Sequence, residues 1–359
     1  MDAAEARSLA ARCVPQCVAA GLATTRETIT GVRVRLVQSL WAGMGAVYEL
    51  AITQGANATP LVVIAKRISL PAQCNSIGDA RKKTSYECEA SFYANGHAER
   101  AIAAGCAVPR PLLVERHADG DVTIVMTKLA GRRVAQMAVA QTEVALRWLA
   151  RLHAAYWGAR ADAAVSRTPE GGLQPQGTYW YLDTRPDELA AMPTRGWEGR
   201  LRMAAGAIDE RLKADPMQTI CHGDAKDENM LFDDDGVGMC DFQYCGKGPP
   251  SKDVAYVLIC ASAEAGEEER LIEAYHAELS RLLRAQGDSV PARDHLDDAI
   301  ALSHADLGRW MSGWGWWGLR GQLQSKIVAL LDRLDGGKRL GSEAAYADAV
   351  RREFPVPLR

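Results

Sequence analysis

The sequence predicts an α+β protein with two segregated lobes, a small β-rich N-lobe (residues 1–128) and a larger helical C-lobe (residues 129–359). Three observations predict it. Alternating and β-branched runs crowd the first third, helical composition with scattered Trp fills the rest, and one short acidic hairpin interrupts that rest. A helical opening is expected over residues 3–20. Residues 32–40 alternate, 47–53 follow a glycine-containing bend, and 61–69 are apolar and β-branched, which makes three strands. Residues 79–104 have helical composition, and two further strands are expected at 111–116 and 122–127. The crossing between lobes falls near residues 126–131. In the second lobe, Met230-Leu231-Phe232 and Val237-Gly238-Met239-Cys240 are strand-like, with Asp233-Asp234-Asp235-Gly236 as turn chemistry between them. The stretch 166–177, with its Gly, Pro and Gln, is expected to be a surface excursion. No internal repeat is present.

A chain of 359 residues is long enough for two lobes and a buried core. Its 42 basic and 45 acidic residues give a formal charge of −3, which argues for neither a nucleic-acid nor a membrane partner. No basic stripe or nucleic-acid reader motif is found, and no apolar run reaches membrane-spanning length. The N-terminus is rich in Ala and Arg, but Asp2 and Glu5 argue against a transit peptide, so a cytoplasmic location is expected. Nine cysteines at irregular spacing suit neither a disulfide framework nor a zinc site, and read as reduced thiols.

The chemistry concentrates between Cys221 and Tyr256. If Phe232 lies opposite Val237, Asn229 falls opposite Cys240, and Asp241 stands beside Asn229 at the open end of the hairpin. Asp224 lies a few residues upstream on the same rim. One carboxylate to orient a hydroxyl, with an amide and a second carboxylate to hold magnesium, is the set that phosphoryl transfer requires. Solvated acids at the base of an ordinary hairpin are the plainer alternative. The run Ala42-Gly43-Met44-Gly45-Ala46-Val47 is either a simple bend or a place where backbone N–H groups approach phosphate. Lys66 ends the apolar run 61–65, and either snorkels to solvent or holds phosphates. Gly246-Lys247-Gly248-Pro249-Pro250 lacks the Walker A spacing.

His222-Gly223-Asp224 with Asn229, Asp241-Phe242-Gln243 and Asp253-Val254-Ala255-Tyr256 resemble the aminoglycoside phosphotransferase and choline kinase superfamily. Ser85-Tyr86 with Glu89 and Phe92-Tyr93, and Leu152-His153-Ala154 before Tyr156-Trp157, resemble its ecdysteroid-kinase-like (CHK kinase-like) branch. The resemblance spans about residues 40–275. It implies a bilobal protein-kinase-like fold that uses ATP and Mg2+ to phosphorylate a small-molecule hydroxyl. Asp224 would then be the catalytic acid of the loop, and Asn229 and Asp241 the metal ligands. Gly43, Gly45, Lys66 and Glu89 would serve the phosphates, and backbone around Met126 and Lys128 the adenine. Glu89 is preferred to Glu87, which lies about half a helical turn away. Lys226 has the spacing of the lysine that faces the transferring phosphate in Ser/Thr protein kinases, and an exposed loop lysine is the alternative. His153, His222 and Asp253 are expected to brace the loop.

Trp310, Trp314 and Trp317 recur at helical spacing beside Trp316, as a core stripe or as an acceptor wall suited to a cationic or ring-bearing molecule. Only twelve positions run from Asp241 to Asp253 and no Ala-Pro-Glu follows, which disfavours a protein substrate. A ligand-binding pseudokinase without turnover is the reading from another class, although the motif Asp, Asn and Lys are all present.

Overall fold

The computed structural model describes residues 1–22, 28–40, 43–55, 59–70, 76–118, 120–168, 171–261 and 264–356. The first third contains α1 (Ala3–Ala19), β1 (Ile29–Ser39), β2 (Gly45–Gln54), β3 (Leu61–Ile68), α2 (Ile77–Ala94), α3 (His97–Ala103), β4 (Pro111–Arg116) and β5 (Val122–Thr127). The strands form one antiparallel sheet in the order β1-β2-β3-β5-β4. There follow α4 (Val139–Ala155), α5 (Ala159–Ala164), α6 (Pro186–Ala191), α7 (Gly196–Lys213), β6 (Thr219–Cys221), β7 (Met230–Asp233), β8 (Gly236–Met239) and β9 (Gly246–Gly248). The chain continues with α8 (Ser251–Ala261), α9 (Ala265–Gln286), α10 (Arg293–Trp314), α11 (Arg320–Asp335) and α12 (Glu343–Glu353). The expected α+β fold is present.

The period-2 alternation of β3 decides where its lysine goes. Val63 and Ala65 pack with Leu50, Ile52 and Val125 beneath the stripe Ala6, Leu9, Ala10, Cys13, Val14 and Cys17 of α1. Ile64, Lys66 and Ile68 therefore face the other way, toward α2. Lys66 is buried there instead of snorkelling to water. Ser76 caps α2 by accepting from the N–H of Asp79 at 3.0 Å. The single helical run expected over 79–104 is two helices, because Gly96 takes φ +82° between them.

A larger core joins α2 to α4, α8 and α9, and a second one gathers α7, α10, α11 and α12 around Trp180 and Trp310. Phe92 of α2 stacks on Phe242 with ring centroids 3.7 Å apart, fastening the sheet-side helix to the loop after β8. The stretch 166–177 is not the surface excursion expected. Its described part is drawn in by backbone, since Gln174 N–H donates to Cys245 O and Lys247 N–H donates to Gln174 O, both at 3.0 Å. Side-chain composition gave no sign of that pairing. Among the described residues no helix is long and apolar enough to cross a membrane, and the eight described cysteines are free thiols; Cys74 lies outside the described residues.

Phe92→Ala should destabilise the fold by about 3–5 kcal/mol, the usual cost of emptying a buried aromatic site. Denaturant unfolding checks this, and a loss below about 1 kcal/mol would mean that the stack carries little.

Candidate active site

The loop after β6 is shaped by one buried carboxylate. Asp253, in the first turn of α8, accepts from the N–H groups of His222 at 2.6 Å and Gly223 at 3.0 Å. Its Oδ2 also lies 3.2 Å from His153 Nε2, and His153 Nδ1 lies 2.8 Å from the Tyr275 hydroxyl. Gly223 takes φ +82°, and a Cβ there would collide with the Tyr244 carbonyl. His222 is held neutral because burial pulls its pKa down. Its Nδ1 accepts from the Asp224 N–H at 3.3 Å, which leaves Nε2 to donate to Cys240 O at 3.2 Å.

Asp224 follows, buried, with its two oxygens treated differently. Oδ2 accepts from Asn229 Nδ2 at 3.0 Å and lies 3.2 Å from Lys226 Nζ. Oδ1 is buried with no hydrogen-bond partner among the described residues. Burial outweighs the help of Lys226, and nearby Asp241 adds to it, so the Asp224 carboxyl is pushed up to about 7. Lys226 is thus tied to the predicted catalytic acid and is not a free loop lysine.

The hairpin has the register expected, with Phe232 opposite Val237 and Cys240 N–H donating to Asn229 O at 3.0 Å. Asn229 gives its amide N–H groups to the Asp224 backbone carbonyl and side chain, which leaves its carbonyl oxygen as the end for a cation. Asp241 adopts φ +69°, a left-handed turn that Asp tolerates better than most residues. Among the described residues its Oδ1 accepts no hydrogen bond, and it forms an ion pair with Lys66 Nζ at 3.5 Å. Lys66 Nζ is 2.5 Å from Glu89 Oε2. Burial alone would lower the lysine's pKa, but Asp241 and Glu89 outweigh it and raise it. Glu87, the other candidate partner, is only half-buried. Among the described residues no three His, Cys, Asp or Glu gather as a closed metal cage. One carboxylate and one amide oxygen suit magnesium, which takes its other ligands from water and phosphate.

The remaining predicted residues lie on the sheet. Gly45 has φ +116°, and a Cβ there would collide with the Arg67 carbonyl, so close strand packing already requires glycine. Around Gly43 a Cβ would meet open space; Ala42 of the same run lies outside the described residues. Met126 is buried in β5, and Lys128 just beyond it puts Nζ 2.8 Å from Glu49.

The tryptophans divide. Trp310 is 2% exposed, while Trp314 and Trp317 are 50% and 60% exposed and pack on it, with centroids 6.2 and 5.2 Å away. Trp310 meets Tyr179 edge-on at 4.9 Å, and Tyr179 lies within electrostatic reach of Asp224. Arg185 lies over Trp310 at 5.4 Å and over Trp314 and Tyr179 at 6.0 Å. Sequence reading missed Tyr179, Arg185 and Tyr244. Only Tyr244, directly after Asp241-Phe242-Gln243, carried a positional hint.

A five-stranded antiparallel sheet against a helical lobe, with the loop, hairpin and buried Lys66–Glu89 pair at their junction, is the layout of a kinase-type phosphotransferase. Residues 80–293 match the model of the phosphotransferase enzyme family (APH), and the chain belongs to that family. The fold is similar to that of amicoumacin kinase hAmiN in complex with AMP-PNP, Ca2+ and Ami, at 15% identity, over 83% of this chain and 88% of that one, with TM-score 0.51. It is also similar to choline kinase from Cryptosporidium parvum Iowa II, at 10% identity, over 84% of this chain and 88% of that one, with TM-score 0.50. No curated protein matches the sequence.

The raised Asp224 pKa has a stability consequence. The folded carboxyl titrates at about 7 and the unfolded one near about 3.9. The folded state therefore holds the proton more tightly, and this contribution is lost as pH rises through the folded value. In metal-free protein, Asp224→Asn should match wild type in melting temperature near about pH 4, gain on it up to about pH 7 and level off above that. A difference independent of pH would contradict the assignment.

Proposed function

We propose that this protein is an ATP- and Mg2+-dependent phosphotransferase that moves the γ-phosphate to a hydroxyl of a small molecule, on the ecdysteroid-kinase-like side of its family. The observation that carries this reading is a pair of buried oxygens flanking Asn229 on one rim: Asp224 Oδ1, which has no hydrogen-bond partner among the described residues, and Asp241 Oδ1, held only by a 3.5 Å ion pair with Lys66. Unpartnered buried carboxylate oxygens are costly, and they mark places that a ligand completes.

In this reading Asp224 Oδ1 receives the acceptor hydroxyl and takes its proton as transfer proceeds. Asn229 aligns the carboxylate by bonding Oδ2, and Lys226 offsets charge beside it. Asn229 and Asp241 would hold the metal, and Lys66, set by Glu89, the nucleotide phosphates. The backbone at Gly43 and Gly45 would cover the phosphates, and the backbone near Met126 and Lys128 would take the adenine. The bound magnesium nucleotide would supply the phosphoryl group and neutralise charge that develops on it. The lobes would divide as 1–128 and 129–359, with a cytoplasmic home where ATP and magnesium are plentiful.

The alternatives fit less well. A protein substrate needs a platform after Asp241, but β9 pairs with β6 at once and α8 follows directly. A pseudokinase would not need Asp224 aligned by Asn229 with one oxygen left bare.

Two variants separate the roles. Asp224→Asn should cut phosphoryl transfer at least about a thousandfold with Mg-ATP affinity within a few-fold, as expected for a group that acts on the acceptor. Asp241→Ala should instead lose metal-dependent nucleotide binding, read by calorimetry with and without Mg2+. Wild-type turnover in the first, or undiminished Mg-ATP binding in the second, would overturn the assignment.

A further inference from the structure

A cleft of about 300 Å3 lies between the start of α2, the turn before α6, and the end of α10. Arg81, Thr184, Asp187, Glu188, Gly313 and Trp314 line it. Helix α2 connects this cleft to the site: one turn beyond Arg81, Ser85 Oγ lies 3.5 Å from Gln243 Oε1, two residues after Asp241. Burial first, then Asp224 and Asp241, push the hydroxyl pKa of the next residue, Tyr244, up, while Arg185 and Arg81 act on it in the opposite sense. The half-buried Tyr244 is thus within electrostatic range of both carboxylates and both guanidinium groups.

Those two cations are not equally neutralised. Arg185 is buried and paired with Glu188 Oε1 at 2.8 Å, and its Nε donates to Tyr179 O at 2.7 Å. Arg81 is half-buried and donates only to the Thr184 carbonyl, at 2.7 Å; among the described residues it has no carboxylate within ion-pair distance. Burial and the like charge of Arg185 work against its proton, and Tyr244, Tyr181 and Glu188, the last already paired with Arg185, offset them only in part. A guanidinium held in that state gains most from an added anion, and its planar fork favours a carboxylate or similar oxyacid. Asp187 is exposed, so water screens its opposing charge.

The aromatic wall points the same way. Three electron-rich faces, those of Tyr179, Trp310 and Trp314, already carry the Arg185 guanidinium. A cationic acceptor would compete with that cation and meet Arg81 as a second like charge. What stays open is the side of Trp314 that faces solvent and the cleft, a flat apolar surface.

We propose that the acceptor is a hydroxyl compound with a flat apolar body and an anionic oxyacid group, and that Arg81 binds that anion while Trp314 supports the body. The proposal rests on the phosphotransferase reading above and names its substrate class. Arg81 would set specificity and take no part in the chemical step. Because α2 also carries Glu89, an anion bound at Arg81 would engage the helix that holds Lys66 in place.

The test uses binding as well as turnover, in the full-length protein. Aromatic hydroxymethyl compounds are prepared in matched sets as carboxylate, methyl ester and amine. Their affinities are read by calorimetry and by quenching of tryptophan fluorescence, with ADP release measured in parallel. Carboxylates should bind about tenfold or more tighter than esters, and amines weakest, as a charge-assisted pair requires. Arg81→Gln should remove the carboxylate preference and leave ester binding, Mg-ATP affinity and melting temperature nearly unchanged, and Arg81→Lys should keep part of the preference. Equal or better binding of esters or amines, a preference that survives Arg81→Gln, or no carboxylate binding at millimolar concentration would each overturn the proposal. If Arg81→Gln shifts Mg-ATP affinity and every acceptor alike, Arg81 is a latch between α2 and the Thr184 turn and not an anion site. Carboxylate binding without Mg-ATP binding would leave the anion site standing and remove the kinase reading. Mg-ATP binding without carboxylate preference would do the reverse.

Discussion

The buried Asp253 carboxylate is the constraint on which the site depends. Two consecutive backbone N–H groups, those of His222 and Gly223, end on it, and His153 ties it to α4 and, through Tyr275, to α9. Hydrogen bonds to a charged acceptor are worth about 1.5–3 kcal/mol each. Leaving the carboxylate without its partners would cost about as much again, because a buried charge would remain uncompensated. With the first two loop residues fixed in this way and Gly223 in a left-handed turn, Asp224 has only one place to go. Asn229, fixed from the hairpin side, meets it there.

The electrostatic design is a balance that the free protein leaves incomplete. Lys66 serves two carboxylates, those of Glu89 and Asp241, while Lys226 serves Asp224. Both Asp224 and Glu89 are pushed up to about 7 by burial, against the pull of their lysines. Among the described residues Asp224 Oδ1 accepts no hydrogen bond, and Asp241 Oδ1 has only its 3.5 Å contact with Lys66. On the phosphotransferase reading proposed above, stability is given up at this point in exchange for a site prepared to act.

Much of this was legible in the sequence because it is local. Four turn residues, Asp233 to Gly236, fix the hairpin register, and register fixes Asn229 against Cys240. Strand alternation around Lys66 was equally readable, but burial was not, since it depends on α2 supplying Glu89 twenty-three positions later. Periodicity put Trp310, Trp314 and Trp317 at helical spacing, but α10 ends at Trp314 and leaves Trp317 beyond it at φ +45°, and the pattern could not separate the buried ring from the two exposed ones. What divides them is Tyr179, more than a hundred positions away. Arg81 gave no signal at all, because its partner is a backbone carbonyl at Thr184 and the role proposed for it rests on its having no carboxylate partner among the described residues. The inward turn at Gln174 was hidden for the same reason, being made by backbone pairing with residues 245–247.

The central claim is that the loop and the hairpin converge on one metal–phosphate site. The most direct measurement is a crystal structure with Mn2+ in place of Mg2+ and a non-hydrolysable ATP analogue, with the metal located by its anomalous signal. The account predicts a metal at about 2.1 Å from an Asp241 oxygen and from the Asn229 carbonyl oxygen, the span expected of a small hard cation. It also predicts Lys66 Nζ on the nucleotide phosphates and Asp224 Oδ1 open toward the terminal phosphate. A nucleotide bound elsewhere, or a metal held with neither Asn229 nor Asp241 in its coordination shell, would contradict it.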